Sequence, residues 1–255
     1  MVKFMKIIIS PAKKMINSND DFIPESIPVY LSETQTLLNE IRAYTKEELK
    51  NVLECNDQLL NLNYERFQNM SLDRNTSCAL MSYVGLQYQH MGSHLFSLEE
   101  IDYLQKTLRI LSGFYGILKP RDRIVPYRLE MQAKLNSTNL YDFWNRKLYD
   151  ELTNEDHLIL NLASKEYSQC IKSYQSDDVT IIDVDFVCEH KGKLTTKATE
   201  AKMCRGSMVR FCAVHQIKDI KELYSFNEYG YVYDAELSTE TKLVFKKSNL
   251  NPASK

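Results

Sequence analysis

Apolar positions along the chain alternate between short continuous runs and stretches at helical spacing, which predicts strands interleaved with helices. Lys6-Ile7-Ile8-Ile9 is an apolar run of strand length, the kind buried in a sheet covered on both faces. Leu31 to Arg42 and Lys46 to Cys55 carry apolar residues at helical spacing, and Asn56 to Phe67 continues the pattern through Leu59, Leu60, Leu62 and Phe67. Cys78 to Val84 reads as a strand. Ser97 followed by Glu100 forms a capping box, so a helix is expected from Leu98 towards Leu111. Asn139 caps a further helix through Tyr141, Phe143, Trp144 and Leu148. His157 to Leu162 and Val179 to Val187 read as strands, and a turn at Lys191-Gly192-Lys193 folds the second onto Leu194 to Lys197. A helix to about Val214 and late strands at Gly230 to Tyr233 and Leu243 to Lys246 follow. Nothing marks a repeat or a linker. The expected fold class is α/β (α+β), one compact domain over residues 1–248 with a mixed sheet flanked by helices, and residues 249–255 as a frayed tail.

Composition narrows the class. A chain of 255 residues can bury a sizeable core, and 44% hydrophobic with 26% charged content is that of a soluble globular protein. No window is apolar for long enough to cross a bilayer. The N-terminal apolar run of three isoleucines ends in Ser10-Pro11, which suits a first strand better than a signal peptide; a cytoplasmic protein is expected. Six scattered cysteines without a Cys-x-x-Cys pair point to reduced, mostly buried thiols.

The net charge of −2 conceals segregation. Met1 to Lys14 holds four lysines and no acid, Asp20 to Asp57 nine acids against three bases, and Lys197 to Arg210 four bases against Glu200 alone. The local field governs affinity for anions, so a polyanionic ligand stays open. The densest cluster runs from Arg109 to Met131, with five bases against Asp122 and Glu130, two of the seven glycines and two of the six prolines. Glycine lets another group approach the backbone, and proline prevents a helix from simply continuing. Ser112, Gly113, Gly116, Lys119, Arg121, Arg123 and Arg128 are therefore candidates to grip a phosphate or carboxylate, a solvated surface loop being the alternative. Ser10-Pro11-Ala12-Lys13-Lys14 follows the first strand, where α/β sheets hold ligands. Ser164-Lys165-Glu166-Tyr167 follows another and opens a helix whose first amides suit an anion. Lys202, Arg205 and Arg210 lie along one helix, and Gly206 inside it suggests close approach of something to its backbone.

Together these segments resemble the YaaA family of peroxide-stress-response proteins. The phrases carrying the resemblance are Ile8-Ile9-Ser10-Pro11-Ala12-Lys13, Leu111-Ser112-Gly113-Phe114-Tyr115-Gly116, Pro126-Tyr127-Arg128-Leu129-Glu130-Met131 and Asn161-Leu162-Ala163-Ser164-Lys165-Glu166-Tyr167, then Arg205-Gly206 with Arg210-Phe211, and Phe226 with Gly230-Tyr231. The resemblance implies a bacterial cytosolic protein that limits peroxide damage by keeping unincorporated iron low. It further implies a mixed α/β fold with a positive cleft and binding to double-stranded DNA. The Leu111 to Gly116 corner resembles the hairpin of a helix-hairpin-helix. Many relatives carry an acid where Leu86 follows Gly85 here, and often a glycine where Gln132 stands.

Three mechanisms stay open. In the first, Lys13, Lys14, Lys119, Arg121, Arg123, Arg128, Lys202 and Arg205 neutralise DNA phosphates with little regard to base identity. In the second, the protein is an enzyme on a nucleotide, nucleobase or other phosphate-bearing small molecule. Arg128 and Glu130 share a face if extended, with Tyr127 opposite; Glu130 or Glu166 would supply acid–base chemistry while Ser164 or Tyr167 orients the substrate. An Arg128–Glu130 network that only organises the corner is the alternative. In the third, iron binds directly, for which His90 and His94 are the one spaced pair, weakened by Gly92 between them. No metal site, cofactor or membrane partner is assigned.

Overall fold

The computed structural model describes residues 5–18 and 22–248, so the tail expected at 249–255 lies outside the described residues. The chain opens with strand β1 (Lys6–Ile9), whose four residues are all buried, as an apolar run covered on both faces requires. After the two-residue strand β2 (Lys14–Met15) come helices α1 (Leu31–Arg42), α2 (Lys46–Leu53) and α3 (Asp57–Asn69). Thr45 and Asn56 cap the second and third through their side chains. Strand β3 (Ser77–Cys78), helix α4 (Ala79–Ser82), strand β4 (Tyr83–Val84) and helix α5 (Leu86–Met91) occupy the stretch up to Gly92. The expected single strand from Cys78 to Val84 is thus a buried helical turn between two short strands. Its first amides are taken by the distant 120–122 segment, Ala79 N donating to Asp122 O at 2.9 Å and Leu80 N to Pro120 O at 3.0 Å. A short apolar run does not separate these outcomes by periodicity.

Helix α6 (Leu98–Thr107) starts at the expected capping box but stops four residues before Leu111. Strand β5 (Leu108–Ser112) takes over because Leu108, Arg109 and Ile110 pair with Ile7, Ile8 and Ile9. The Arg109 guanidinium donates to Gln105 O and Leu108 O, satisfying carbonyls at the abrupt helix end. Strands β6 (Gly116–Leu118) and β7 (Arg123–Ile124) follow. The helix expected from Asn139 divides at Asn145, φ 45°, into α7 (Leu140–Trp144) and α8 (Lys147–Thr153). Strand β8 (Leu158–Leu162), helix α9 (Lys165–Lys172), the hairpin of β9 (Thr180–His190) with β10 (Lys193–Thr195), and helix α10 (Ala198–His215) agree with the sequence pattern. Strands β11 (Asn227–Glu228), β12 (Tyr231–Tyr233) and β13 (Lys242–Lys247) close the described chain.

The main sheet runs β11-β12-β13-β9-β8-β1-β5-β6, with β10 added to β9. Its five central strands, β13 to β5, are mutually parallel, and its edges are antiparallel. This is the mixed α/β architecture expected. Helix α10 lies against α5 so closely that a Cβ at Gly206 would sit 2.0 Å from Gln87 O, the backbone approach that a mid-helix glycine suggested.

Glu200 ties α10 to the last strands. It accepts from Lys247 Nζ at 2.6 Å, Tyr231 OH at 2.8 Å and Lys197 Nζ at 3.2 Å. The Lys247 bond first, then those of Tyr231 and Lys197, hold its carboxyl down at about 2, from an ordinary value of 4.5. A carboxyl depressed on folding contributes stability that is complete above its unfolded value and lost as pH falls through the folded one. Glu200→Gln is therefore expected to flatten the loss of stability between pH 4.5 and 2, read from urea midpoints across that window. An unchanged slope would refute the link.

Candidate functional site

Parallel strands β1 and β8 are neighbours in register, Ile9 opposite Leu162, so both chains leave the sheet at the same edge. The crevice beyond such carboxyl ends is where open α/β sheets place ligands. Here Ser164 N donates to Ser10 Oγ at 2.8 Å, and Ser10 Oγ to Ser164 Oγ at 3.1 Å. Ser164 is the residue before α9, yet its hydroxyl makes no bond to that helix. Tyr88 OH donates to Ser10 O at 3.0 Å, fixing the start of α5 over the same crevice. Residues 125–130 pass alongside outside any helix or strand. Tyr127 turns inward, its hydroxyl 2.8 Å from that of Tyr83 and 2.5 Å from Ser112 Oγ, while Arg128 and Glu130 pair at 3.0 Å.

These segments enclose a cleft of about 470 Å³. Its walls carry five cations (Lys13, Lys14, Arg128, Lys202 and Arg205) against two carboxylates, Glu130 and Glu166. Lys13 Nζ lies 2.6 Å from Glu130, and Arg128 is only 11% exposed at its side chain. Among the described residues no carboxylate pairs with Lys202 or Arg205, and no cation pairs with Glu166. The buried Nε atoms of Arg128 and Arg205 have no hydrogen-bond partner. Burial lowers the Arg205 pKa, which the charge of Asp185 opposes. Burial, reinforced by the charge of Glu130, raises the Glu166 carboxyl above its usual range against amide bonds from Gln132 and Met131.

Two cavities adjoin this cleft. One of about 360 Å³ shares Lys13, Arg128 and Glu130 and adds Glu48, Glu54 and Lys134, so its charges balance. The other, about 470 Å³, shares Arg205 and adds Lys165 and Lys172 against Asp183 and Asp185. The positive excess is concentrated in the middle.

Residues 5–237 match the profile of a family described as peroxide stress protein YaaA. The chain belongs to the YaaA family. It is 45% identical over 247 residues to a UPF0246 protein of Agathobacter rectalis, covering 95% of this chain and 99% of that one. A UPF0246 protein of Desulfitobacterium hafniense is 47% identical, with 96% and 98% covered, and one of Pediococcus pentosaceus is 46% identical, with 97% and 100% covered. Membership of YaaA, a family of peroxide stress proteins, thus rests on nearly the whole chain.

The glycine corner expected from its composition to grip an anion, and implied by the YaaA resemblance to be the hairpin of a helix-hairpin-helix, lies elsewhere. Leu111 to Gly116 is the turn between strands β5 and β6, not a hairpin between two helices. Its backbone is packed into the core. Ser112 Oγ accepts from Phe114 N and Tyr115 N, Gly113 O accepts from Trp144 Nε1 at 3.0 Å, and a Cβ at Gly113 would sit 2.6 Å from Leu129 O. Gly116 needs its φ of +75° and lies under Trp144 and Leu148. Ser112, Gly113 and Gly116 therefore shape the core and present no amide to a ligand.

Lys119, Arg121 and Arg123 also stay outside the cleft, because the strand pairing that buries the corner carries them away from it. Arg121 is paired with Glu25 and Asp102, and Lys119 lies beside Asp122 and Glu151. Arg210 packs over Gly92 and the Phe96 ring, one turn and more beyond Arg205. Lys13, Lys14, Arg128, Lys202, Arg205, Glu130, Glu166, Ser164 and Tyr167 do meet. Ser10 and Tyr88 were not singled out as site residues, although Ser10 stands in the strand-end phrase that signals it. Leu86 lines the same cleft.

Proposed function

We propose that this member of the YaaA family serves in the cytoplasm under peroxide stress by binding double-stranded DNA through the central cleft, with little sequence preference, and so keeps unincorporated iron low. One observation carries this: five cations from three distant segments converge on one cleft where, among the described residues, three (Lys14, Lys202 and Arg205) have no carboxylate partner and the two arginines have buried, unpartnered Nε atoms. Burying cations without counter-charges is costly, and an incoming phosphate removes that cost. The two histidines considered for iron do not support direct metal binding. Gly92 at φ +64° ends α5 between His90 and His94, so they share no helical face, and His90 Nδ1 lies 2.6 Å from Tyr229 OH.

Duplex affinity is expected to fall with salt at a log–log slope of about −0.9 per phosphate neutralised. Because the excess charge is confined to the central cleft, the slope should correspond to roughly three phosphates rather than a long backbone track. Fluorescence anisotropy with an unrelated pair of duplex sequences checks both points. Salt-independent binding, or none, would remove this function.

A further inference from the structure

We propose that Glu166 and Glu130 form an acid–carboxylate pair that hydrolyses the N-glycosidic bond of one nucleotide unit seated in the cleft, an inference resting on the nucleic-acid function above. The cleft, at about 470 Å³, has the size of a small-ligand site, and the almost wholly buried Tyr88, Tyr127 and Tyr167 form part of its wall. Lys202 and Arg205, arriving together from α10, are with Lys14 the cations left for the phosphate. Lys13 and Arg128 are engaged instead with Glu130, at 2.6 and 3.0 Å.

The two carboxyl groups have different surroundings. Glu130 sits between two cations, whereas Glu166 is half-buried, has no ion-pair partner among the described residues, and feels the negative charge of Glu130 more strongly than the opposing charge of Lys13. Carboxyl groups set apart in this way divide into proton donor and charge stabiliser. Two carboxylates would repel a phosphoryl group under attack, but they stabilise a cation developing on a sugar.

In the proposed step Glu166 gives its proton to a ring nitrogen of the base while the C1′–N bond breaks and its electron pair leaves with the base. Glu130 stabilises the sugar cation. A water molecule then adds to C1′ and returns a proton to Glu166, so nucleotide and water yield free base and the C1′ hydroxyl compound. Glu166 and Glu130 are the catalytic residues of this step; Lys13 and Arg128 are positioning residues acting through Glu130.

The test incubates the full chain with duplex oligonucleotides bearing oxidised or deaminated bases, and separately with nucleoside 5′-monophosphates, and measures released base by chromatography with mass detection. Release by the native protein should fall at least about 100-fold in Glu166→Gln, the effect of removing a general acid. Should Glu166→Gln not fold, Glu166→Asp, which keeps the acid but withdraws it by one methylene, should release base more slowly than the native protein at an unchanged unfolding midpoint. No release from any of these probes, or equal release by the variants, overturns the proposal. Base release from monophosphates without duplex binding leaves the acid–carboxylate pair standing and removes the DNA function; duplex binding without release does the reverse.

Discussion

Replacing Gly206 by alanine is expected to lower the stability of the protein markedly, against the direction of helix propensity. In an exposed helix the change stabilises by about 1 kcal/mol. Here the new Cβ would sit 2.0 Å from Gln87 O and 2.9 Å from Met91 N, both backbone atoms of α5 that no rotamer change can move. Overpacking of a well-filled core costs about 1–3 kcal/mol, and a clash with backbone at this distance belongs at or above the top of that range. Stability of a domain is only about 5–15 kcal/mol, so the loss should be plain in urea unfolding. Gly192→Ala supplies the contrast: its φ is +73° but nothing lies within 4 Å, so only a modest backbone cost is expected. Equal unfolding midpoints for Gly206→Ala and native protein would show that α5 and α10 separate easily. The native contact matters for function because α10 carries Lys202 and Arg205 and α5 carries Gln87 and Tyr88 to the cleft.

That contact shows what was legible in the sequence and what was not. A glycine inside a helical pattern signalled close approach, but not to which element, since the partner lies more than a hundred residues away and only tertiary packing selects it. The apolar runs at Lys6 to Ile9 and His157 to Leu162 announced buried strands, and their adjacency as parallel neighbours then follows from the sheet order. The cluster between Arg109 and Met131 misled for a physical reason. Glycines that admit close approach serve a phosphate or a tryptophan equally well, and Gly113 and Gly116 serve Leu129, Trp144 and Leu148. Charge density in sequence likewise does not reveal partners: Arg121 looked available until Glu25 and Asp102 were placed beside it. Tyr88 escaped notice because its role depends on Ser10, a residue 78 positions earlier in the chain.

The same sorting of cations sets the second large effect. Lys202→Ala with Arg205→Ala should weaken duplex binding about 100-fold at fixed salt and reduce the salt slope by about 1.8, two contacts at 0.9 each. Lys119→Ala with Arg123→Ala removes the same formal charge from the region that seemed richest in sequence, yet should change affinity by no more than about threefold, the long-range part being screened within roughly 10 Å at 0.1 M salt. Both pairs shift net charge equally, so a nonspecific response to total charge predicts equal losses and a built cleft predicts unequal ones. Lys202 is exposed and needs no stability control; Arg205 is largely buried, with an unpartnered Nε, so removing it relieves a cost as well as a contact. If the double variant at α10 unfolds no earlier than the native protein and still loses the duplex, the loss belongs to the cleft. If instead the Lys119 and Arg123 pair proves the more damaging, the phosphate track runs over the β5–β6 edge and the central cleft is not the nucleic-acid surface.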